Sequence, residues 1–394
     1  MKCVNPKGFL YSAVKAAIRK PDRYDLAIIY SAAEANIAGT FTTNKIKAAP
    51  VQLDIRQTRH GRGQVIVVNS GNANACTGRR GMDDAVEITK QVAGYLHIDP
   101  SLVSICSTGV IGIPLPMQRI RKKIPQLVSH LGKSEVEDVA RAMMTTDTFP
   151  KISGRKVKIG NKTGSITGIC KGAGMICPSM ATMLCFIMTD IEVERETLRI
   201  SLREAVQQSF NRIVVDGDMS TNDTVLIMAN GMLGNKKITD KGKSYRAFRD
   251  SLFGITEDLA KMIVRDGEGA SKFIEIIVKG ARTEREAQKA AYAVAKSYLV
   301  KTALYGNDAN WGRIMAALGY SGSMIREEKT DIYFGTIKVV HAGTATGTDN
   351  KAAHYLKRKD ISITIDLKIG KASSYVYTCD LTEEYVKINA AYRT

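Results

Sequence analysis

Short apolar runs of strand length alternate with longer stretches of helical period along this chain. QVIVVNSG (Gln64–Gly71) reads as a buried strand stopped by a glycine turn. Asp83–Leu96 has helical periodicity. SLVSICSTGV (Ser101–Val110) is strand-like, and the IGIPLP after it cannot easily continue a ladder. Ser134–Met144 predicts a helix leading into TTDTFPK, and Arg155–Ile169 alternates around glycine turns as a hairpin does. Glu194–Arg212 and Ser251–Val264 read as helices, the second amphipathic and ending at the glycine signal of DGEGA. SKFIEIIVKG (Ser271–Gly280) predicts a strand, Thr283–Leu304 one long Ala-rich helix, and the remainder a smaller α/β unit. Such alternation points to a mixed α/β protein. At 394 residues, 44% of them hydrophobic, the chain exceeds one average domain. The softest boundary lies near Gly280–Glu284.

Several classes are disfavoured. No apolar run reaches the roughly 18 residues of a membrane span, and MKCVNPKGFLYSAVK lacks a secretory apolar region. A cytoplasmic protein without a membrane partner is expected. The seven cysteines form no CxxC and mostly sit in apolar runs, as reduced core cysteines do. Cys170, Cys177 and Cys185 fit no zinc spacing, the five histidines are scattered without HExxH, and no metal site is expected. The net charge of +18 would suit nucleic acid or anionic small substrates. Yet the basic residues are dispersed, RIRKK (Arg119–Lys123) reads as one solvated helix face, and only 6% of residues are aromatic. A basic enzyme fits better than a nucleic-acid binder.

The glycine-rich stretches are poor nucleotide motifs. GAGMIC lacks the third glycine of GxGxxG and leads into a strand-like run, and GTATGTDNK lacks the GK[ST] ending. DGDMSTND (Asp216–Asp223) has Thr221 where a calcium loop needs glycine and Ile227 where it needs glutamate. It reads as a polar turn whose carboxylates cap or brace their neighbours. GxSxG is absent, and no Ser-His-Asp triad can be argued.

One acyl-transfer solution remains, in KGAGMICPSMATMLCFIMTD (Lys171–Asp190). Thr182 sits inside an apolar run, where a hydroxyl must find a partner. A threonine that becomes a chain N-terminus is its own base, because the free α-amine takes the hydroxyl proton. That amine has a reference pKa of about 8, nearer neutrality than a lysine at about 10.4. A bare Ala-Thr pair is no signal by itself.

The whole segment closely resembles the self-cleavage segment of the ornithine acetyltransferase family, the arginine-biosynthesis ArgJ proteins. Matching segments run in order along the chain: AGTFTTN (Ala38–Asn44), NSGNANACTG (Asn69–Gly78), STGVIG (Ser107–Gly112) and TTDTFPK (Thr145–Lys151), then DGDMSTND, RDGEGA (Arg265–Ala270), NWGRI (Asn310–Ile314) and YVKINAAYRT (Tyr385–Thr394). The resemblance implies a DmpA- and ornithine-acetyltransferase-like α/β fold, a layered α-β-β-α sandwich over 1–280. A smaller C-terminal α/β domain over 281–394 would return its tail to the active site. It implies self-cleavage between Ala181 and Thr182 into α and β chains that assemble as α₂β₂ or larger. It also implies ping-pong transfer of acetyl from N2-acetyl-L-ornithine to Thr182 and on to L-glutamate, with no cofactor. Some members also use acetyl-CoA as a substrate.

By the same resemblance, Thr108 and Gly109 match the oxyanion-hole pair, a hydroxyl and a backbone N–H. Lys171 and Glu268 match substrate-binding residues, the first suited to a carboxylate and the second to the side-chain amine of ornithine. Asn389 and Thr394 match binding residues at the C-terminus. The binding threonine of TTDT matches Thr145, with Thr146 and Thr148 as alternatives. A related self-processing aminopeptidase, with water as acceptor, is the alternative reading.

Overall fold

The structure is a computed structural model, and it describes residues 4–177 and 183–391. The chain forms two compact units. Residues 1–172, 179–211 and 219–263 belong to the first, and residues 173–178, 212–218 and 264–394 to the second. The second unit thus takes up its long segment at Val264, ahead of the break expected at 280.

In chain order the first strands are β1 (Phe9–Val14), β2 (Leu26–Phe41), β3 (Arg62–Asn72), β4 (Val103–Val110), β5 (Lys151–Ile159), β6 (Lys162–Lys171), β7 (Leu184–Thr189), β8 (Ile213–Val214) and β9 (Thr224–Ala229). All but β8 lie in the first unit. Among the described residues they make an eight-stranded sheet ordered β4-β3-β2-β9-β7-β6-β5, with β1 also paired to β2. The associated helices are α1 (Ala49–Gln57), α2 (Gly78–Leu96), α3 (Met117–Ser129), α4 (Val136–Met143), α5 (Arg195–Gln208) and α6 (Gly242–Arg265), which begins earlier than its amphipathic core suggests.

The unbroken apolar run of β3 follows from burial on both faces. Val65 and Val67 pack with Ile88, Val92, Ile120 and Ile124 of α2 and α3. Ile66 and Val68 pack with Val136, Val139 and Met143 of α4. The expected hairpin is present as β5 and β6, paired from Lys151↔Cys170 to Ile159↔Lys162. Helix α6 lies so close to β6 that a Cβ on Gly168 would come within 2.9 Å of Ile255 and Leu259.

The second unit holds β8, β10 (Phe273–Ala281), β11 (Asp331–Phe334), β12 (Ile337–His341), β13 (Thr344–Ala345), β14 (Asp360–Asp366) and β15 (Ala372–Cys379), in the order β13-β12-β11-β14-β10-β15-β8. Its helices are α7 (Glu284–Lys296), α8 (Tyr298–Tyr305), α9 (Trp311–Gly319), α10 (Asp349–Tyr355) and α11 (Glu383–Ala390). Ile274, Ile276 and Val278 of β10 and Ile361, Ile363 and Ile365 of β14 share a core with Ala287, Ala290, Ala291 and Val294 of α7. Small alanines on α7 let it approach the sheet, and each fully buried isoleucine or valine contributes about 1.5–3 kcal/mol.

The single Ala-rich helix expected over Thr283–Leu304 is two helices. Ser297 adopts an extended backbone (φ −68°, ψ 110°), and its side chain accepts from the Val300 N–H, so it closes α7 and caps α8. No helix among the described residues is long and apolar enough to cross a membrane. The mixed α/β class with two sheets agrees with the sequence reading.

Candidate active site

Strands β3 and β4 run parallel, pairing Ser70↔Thr108 and Gly71↔Gly109 before the register slips at Asn72. Gly109 has φ +134°, and a Cβ there would lie 2.3 Å from the Gly71 carbonyl carbon. Only glycine fits this pinch, and it turns the backbone out of regular pleat beside the buried Thr108. Asparagine side chains hold the turn. Asn69 donates to the Asn72 carbonyl (2.9 Å), Ser107 donates to Asn69 Oδ1 (2.5 Å), and Asn72 donates to the Ile113 and Pro114 carbonyls (2.9 and 3.1 Å).

Asn222 donates to the carbonyl oxygens of Ala73 (2.7 Å) and Ser107 (2.8 Å). The next residue, Asp223, accepts from the Met183 N–H at 3.1 Å. One dipeptide therefore ties the residue before Thr108 to the residue after 182. The sheet adds a second constraint. Lys171 pairs with Leu184 across β6 and β7, and Leu184 pairs with Thr224 across β7 and β9.

Asp147 organises TTDTFPK. Its carboxylate accepts from the N–H groups of Thr145 (3.0 Å) and Gly172 (2.7 Å) and from the Lys151 ammonium (2.7 Å), and Lys171 Nζ stands 4.0 Å away. Burial by itself would raise its pKa, but the charges of Lys171 and Lys151 prevail and hold it at about 2. Lys151, Lys171 and Asp147 are all buried, two cations to one anion. A buried ammonium such as that of Lys171 suits a carboxylate ligand.

In the second unit, Glu268 Oε2 accepts from Asn389 Nδ2 at 2.8 Å, and Asn389 also donates to the Tyr385 carbonyl at 3.0 Å. The Glu268 N–H donates to the Ala173 carbonyl at 2.8 Å. A Cβ on Gly174 would lie 2.4 Å from the Glu268 carboxylate, so the chain passes directly over this acid. Asp216 accepts from Met175 N–H (2.6 Å), Ile176 N–H (2.8 Å) and the Tyr385 hydroxyl (3.3 Å). Burial, and then the charge of Asp216, pushes the Tyr385 phenol up. Among the described residues no group of three or more His, Cys, Asp and Glu is placed to hold a metal ion.

A model of the ArgJ family matches residues 10–394. The chain belongs to the ArgJ family. Relatives named arginine biosynthesis bifunctional protein ArgJ align end to end. That of Geobacter sulfurreducens is 52% identical over 393 residues, covering 99% of this chain and all of the relative. That of Caldanaerobacter subterraneus is 48% identical over 394 residues, covering 99% of this chain and 98% of the relative. The crystal structure of the Bacillus halodurans ArgJ protein is similar at 43% identity and a TM-score of 0.51, covering 52% of this chain and 97% of that one.

Of the site residues expected from the ArgJ resemblance, the structure brings Thr145 and Lys171 together through Asp147, and Glu268 together with Asn389. Thr108 and Gly109 share the pinched end of β4. Thr146 is half-buried and Thr148 exposed, and Asp147 lies between them. Ala181, Thr182 and Thr394 lie outside the described residues. Sequence reasoning missed Asp147 and Asn222 as individual residues. It did anticipate that the carboxylates of DGDMSTND brace their neighbours, as Asp216 and Asp223 do.

Proposed function

We propose that this ArgJ-family acetyltransferase of arginine biosynthesis works through Thr182, set free as a chain N-terminus by cleavage of the Ala181–Thr182 bond. The Thr182 hydroxyl attacks the Ala181 carbonyl carbon, the peptide nitrogen takes up a proton, and water hydrolyses the resulting ester. The new α-amine then serves as base for the same hydroxyl.

In the transfer, Thr182 Oγ attacks the acetyl carbonyl of N2-acetyl-L-ornithine while its proton passes to the α-amine. That proton goes on to the departing amine of ornithine. Glutamate's amine next attacks acetyl-Thr182 and gives a proton back through the α-amine, and N-acetylglutamate leaves. The acetyl group travels on Thr182, so no dissociable cofactor is needed.

The carrying observation is the Asn222–Asp223 bridge from Ser107 to Met183, which supports an oxyanion site at Thr108 and Gly109 facing a nucleophile at 182. The Lys171–Asp147–Lys151 group with Thr145 supports binding of a substrate carboxylate. Glu268, with Asn389 and the tail ending at Thr394, suits the side-chain ammonium of ornithine. The processed pieces assemble as α₂β₂ or larger.

Intact-mass measurement should find two pieces divided before Thr182, and acetylornithine plus glutamate should yield ornithine and acetylglutamate. An undivided chain with full activity overturns the mechanism. Hydrolysis with no acetylglutamate formed would favour the aminopeptidase reading instead.

A further inference from the structure

Helix α11 is eight residues long and buries none of them. Helices this short are not stable alone in water. Polar side-chain contacts within the second unit hold this one instead. At its start the Thr382 hydroxyl donates to the Gly269 carbonyl at 2.7 Å. The Tyr385 hydroxyl donates to Asp216 Oδ2 at 3.3 Å, and Asn389 Nδ2 to Glu268 Oε2 at 2.8 Å. The first turn sits on Gly269, where φ is +68° and a Cβ would lie 2.6 Å from the Tyr385 nitrogen. Only glycine allows that approach.

Asp216 is a fixed point for this docking. It is buried, and its carboxylate accepts from the N–H groups of Met175, Ile176 and Asp218 at 2.6, 2.8 and 3.2 Å. Tyr385 stands four residues before Asn389, so the two share a helix face. Asn389 Nδ2 donates to the Tyr385 carbonyl at 3.0 Å as well as to Glu268. Glu268 is buried too, and no described residue donates to its Oε1. One oxygen of this acid is therefore held by α11 and the other is unspent.

We propose that Tyr385 is the positioning residue of the ornithine subsite. Its hydroxyl docks α11 on Asp216, and the docked helix sets Asn389 against Glu268 Oε2, so that Oε1 receives the side-chain ammonium of N2-acetyl-L-ornithine. The inference rests on the reading of Glu268 as the ammonium-binding acid. Tyr385 acts through Asn389 and takes no part in the acetyl transfer itself.

Tyr385→Phe tests this on the processed protein, with glutamate as acceptor. The substitution removes one hydroxyl and keeps the ring. The readouts are KM and kcat for acetylornithine, hydrogen exchange at the α11 amides, and a double-mutant cycle with Asn389→Ala. Glu268→Gln runs alongside. Tyr385→Phe should raise the KM about tenfold, with the loss falling on KM rather than kcat, and the α11 amides should exchange faster. Beside Asn389→Ala the same substitution should add less than about twofold, because the residue through which it acts is gone.

A wild-type KM in Tyr385→Phe overturns the proposal. So does a tenfold effect that persists beside Asn389→Ala, because Tyr385 then acts by another route. A loss confined to kcat overturns it as well. If Glu268→Gln leaves the KM unmoved, the reading of the ornithine subsite itself falls. A raised KM in Glu268→Gln with a wild-type KM in Tyr385→Phe sinks only the positioning role.

Discussion

The Met183 N–H donates to Asp223 Oδ1 across 3.1 Å. This contact fixes the start of β7, the strand that follows residue 182. Asn222 simultaneously holds the Ser107 carbonyl at 2.8 Å, so two strands distant in sequence meet at one turn. The acetyl-transfer reading depends on that meeting.

Thr182→Ala should remain one undivided chain with no transfer activity, because both steps need the hydroxyl. Thr182→Ser keeps a hydroxyl and should still divide and transfer. Mass spectrometry and an acetylglutamate assay check both.

Thr108→Val removes the hydroxyl proposed as an oxyanion donor and keeps the shape. It should lower kcat by about 10²–10³-fold with little change in KM. Gly109→Ala differs in kind. At φ +134° with a Cβ 2.3 Å from Gly71, it should destabilise the β3–β4 junction itself, visible as a lowered melting temperature.

Asp147→Asn should be strongly destabilising, by about 3–5 kcal/mol, because it removes the buried carboxylate that pairs with Lys151 at 2.7 Å and lies 4.0 Å from Lys171. Folding depresses this carboxyl from 3.8 to about 2. Its stabilisation is therefore fully present above about pH 4 and lost as pH falls through about 2. The shift corresponds to about 2 kcal/mol. Denaturant titrations between pH 2 and 5 should show this acid-side loss in wild type and a flatter slope in the variant.

Glu268→Gln removes the charge that would meet the ornithine ammonium while retaining a partner for Asn389. The KM for acetylornithine should rise about 10–100-fold, with chain division unaffected. Steady-state kinetics beside a mass time course separates the two effects.

The sequence alone determined β3, β4, the β5–β6 hairpin and β10, the helices α2, α4, α5 and α6, and the family. β3 was legible because four adjacent apolar residues followed by a glycine are a local signal. The hairpin of β5 and β6 was legible because glycine turns punctuate its alternation. The break at Ser297 was not: alanines on both sides favour continuation, and only the packing of α7 and α8 selects the serine's capping geometry.

The roles of Asp147 and Asp223 were decided by tertiary structure. Asp147 gains its low pKa because the β5–β6 hairpin pairs Lys151 with Cys170 and so sets Lys171 beside it. Burial pushes the Asp223 carboxyl well above the usual carboxylate range, against the Met183 N–H, the Thr42 and Ser220 hydroxyls and the charge of Lys171. Periodicity and turn chemistry are carried by adjacent residues. Burial and charge compensation arise only when distant residues are brought together, so no local pattern shows which carboxyl will have its pKa lowered and which raised.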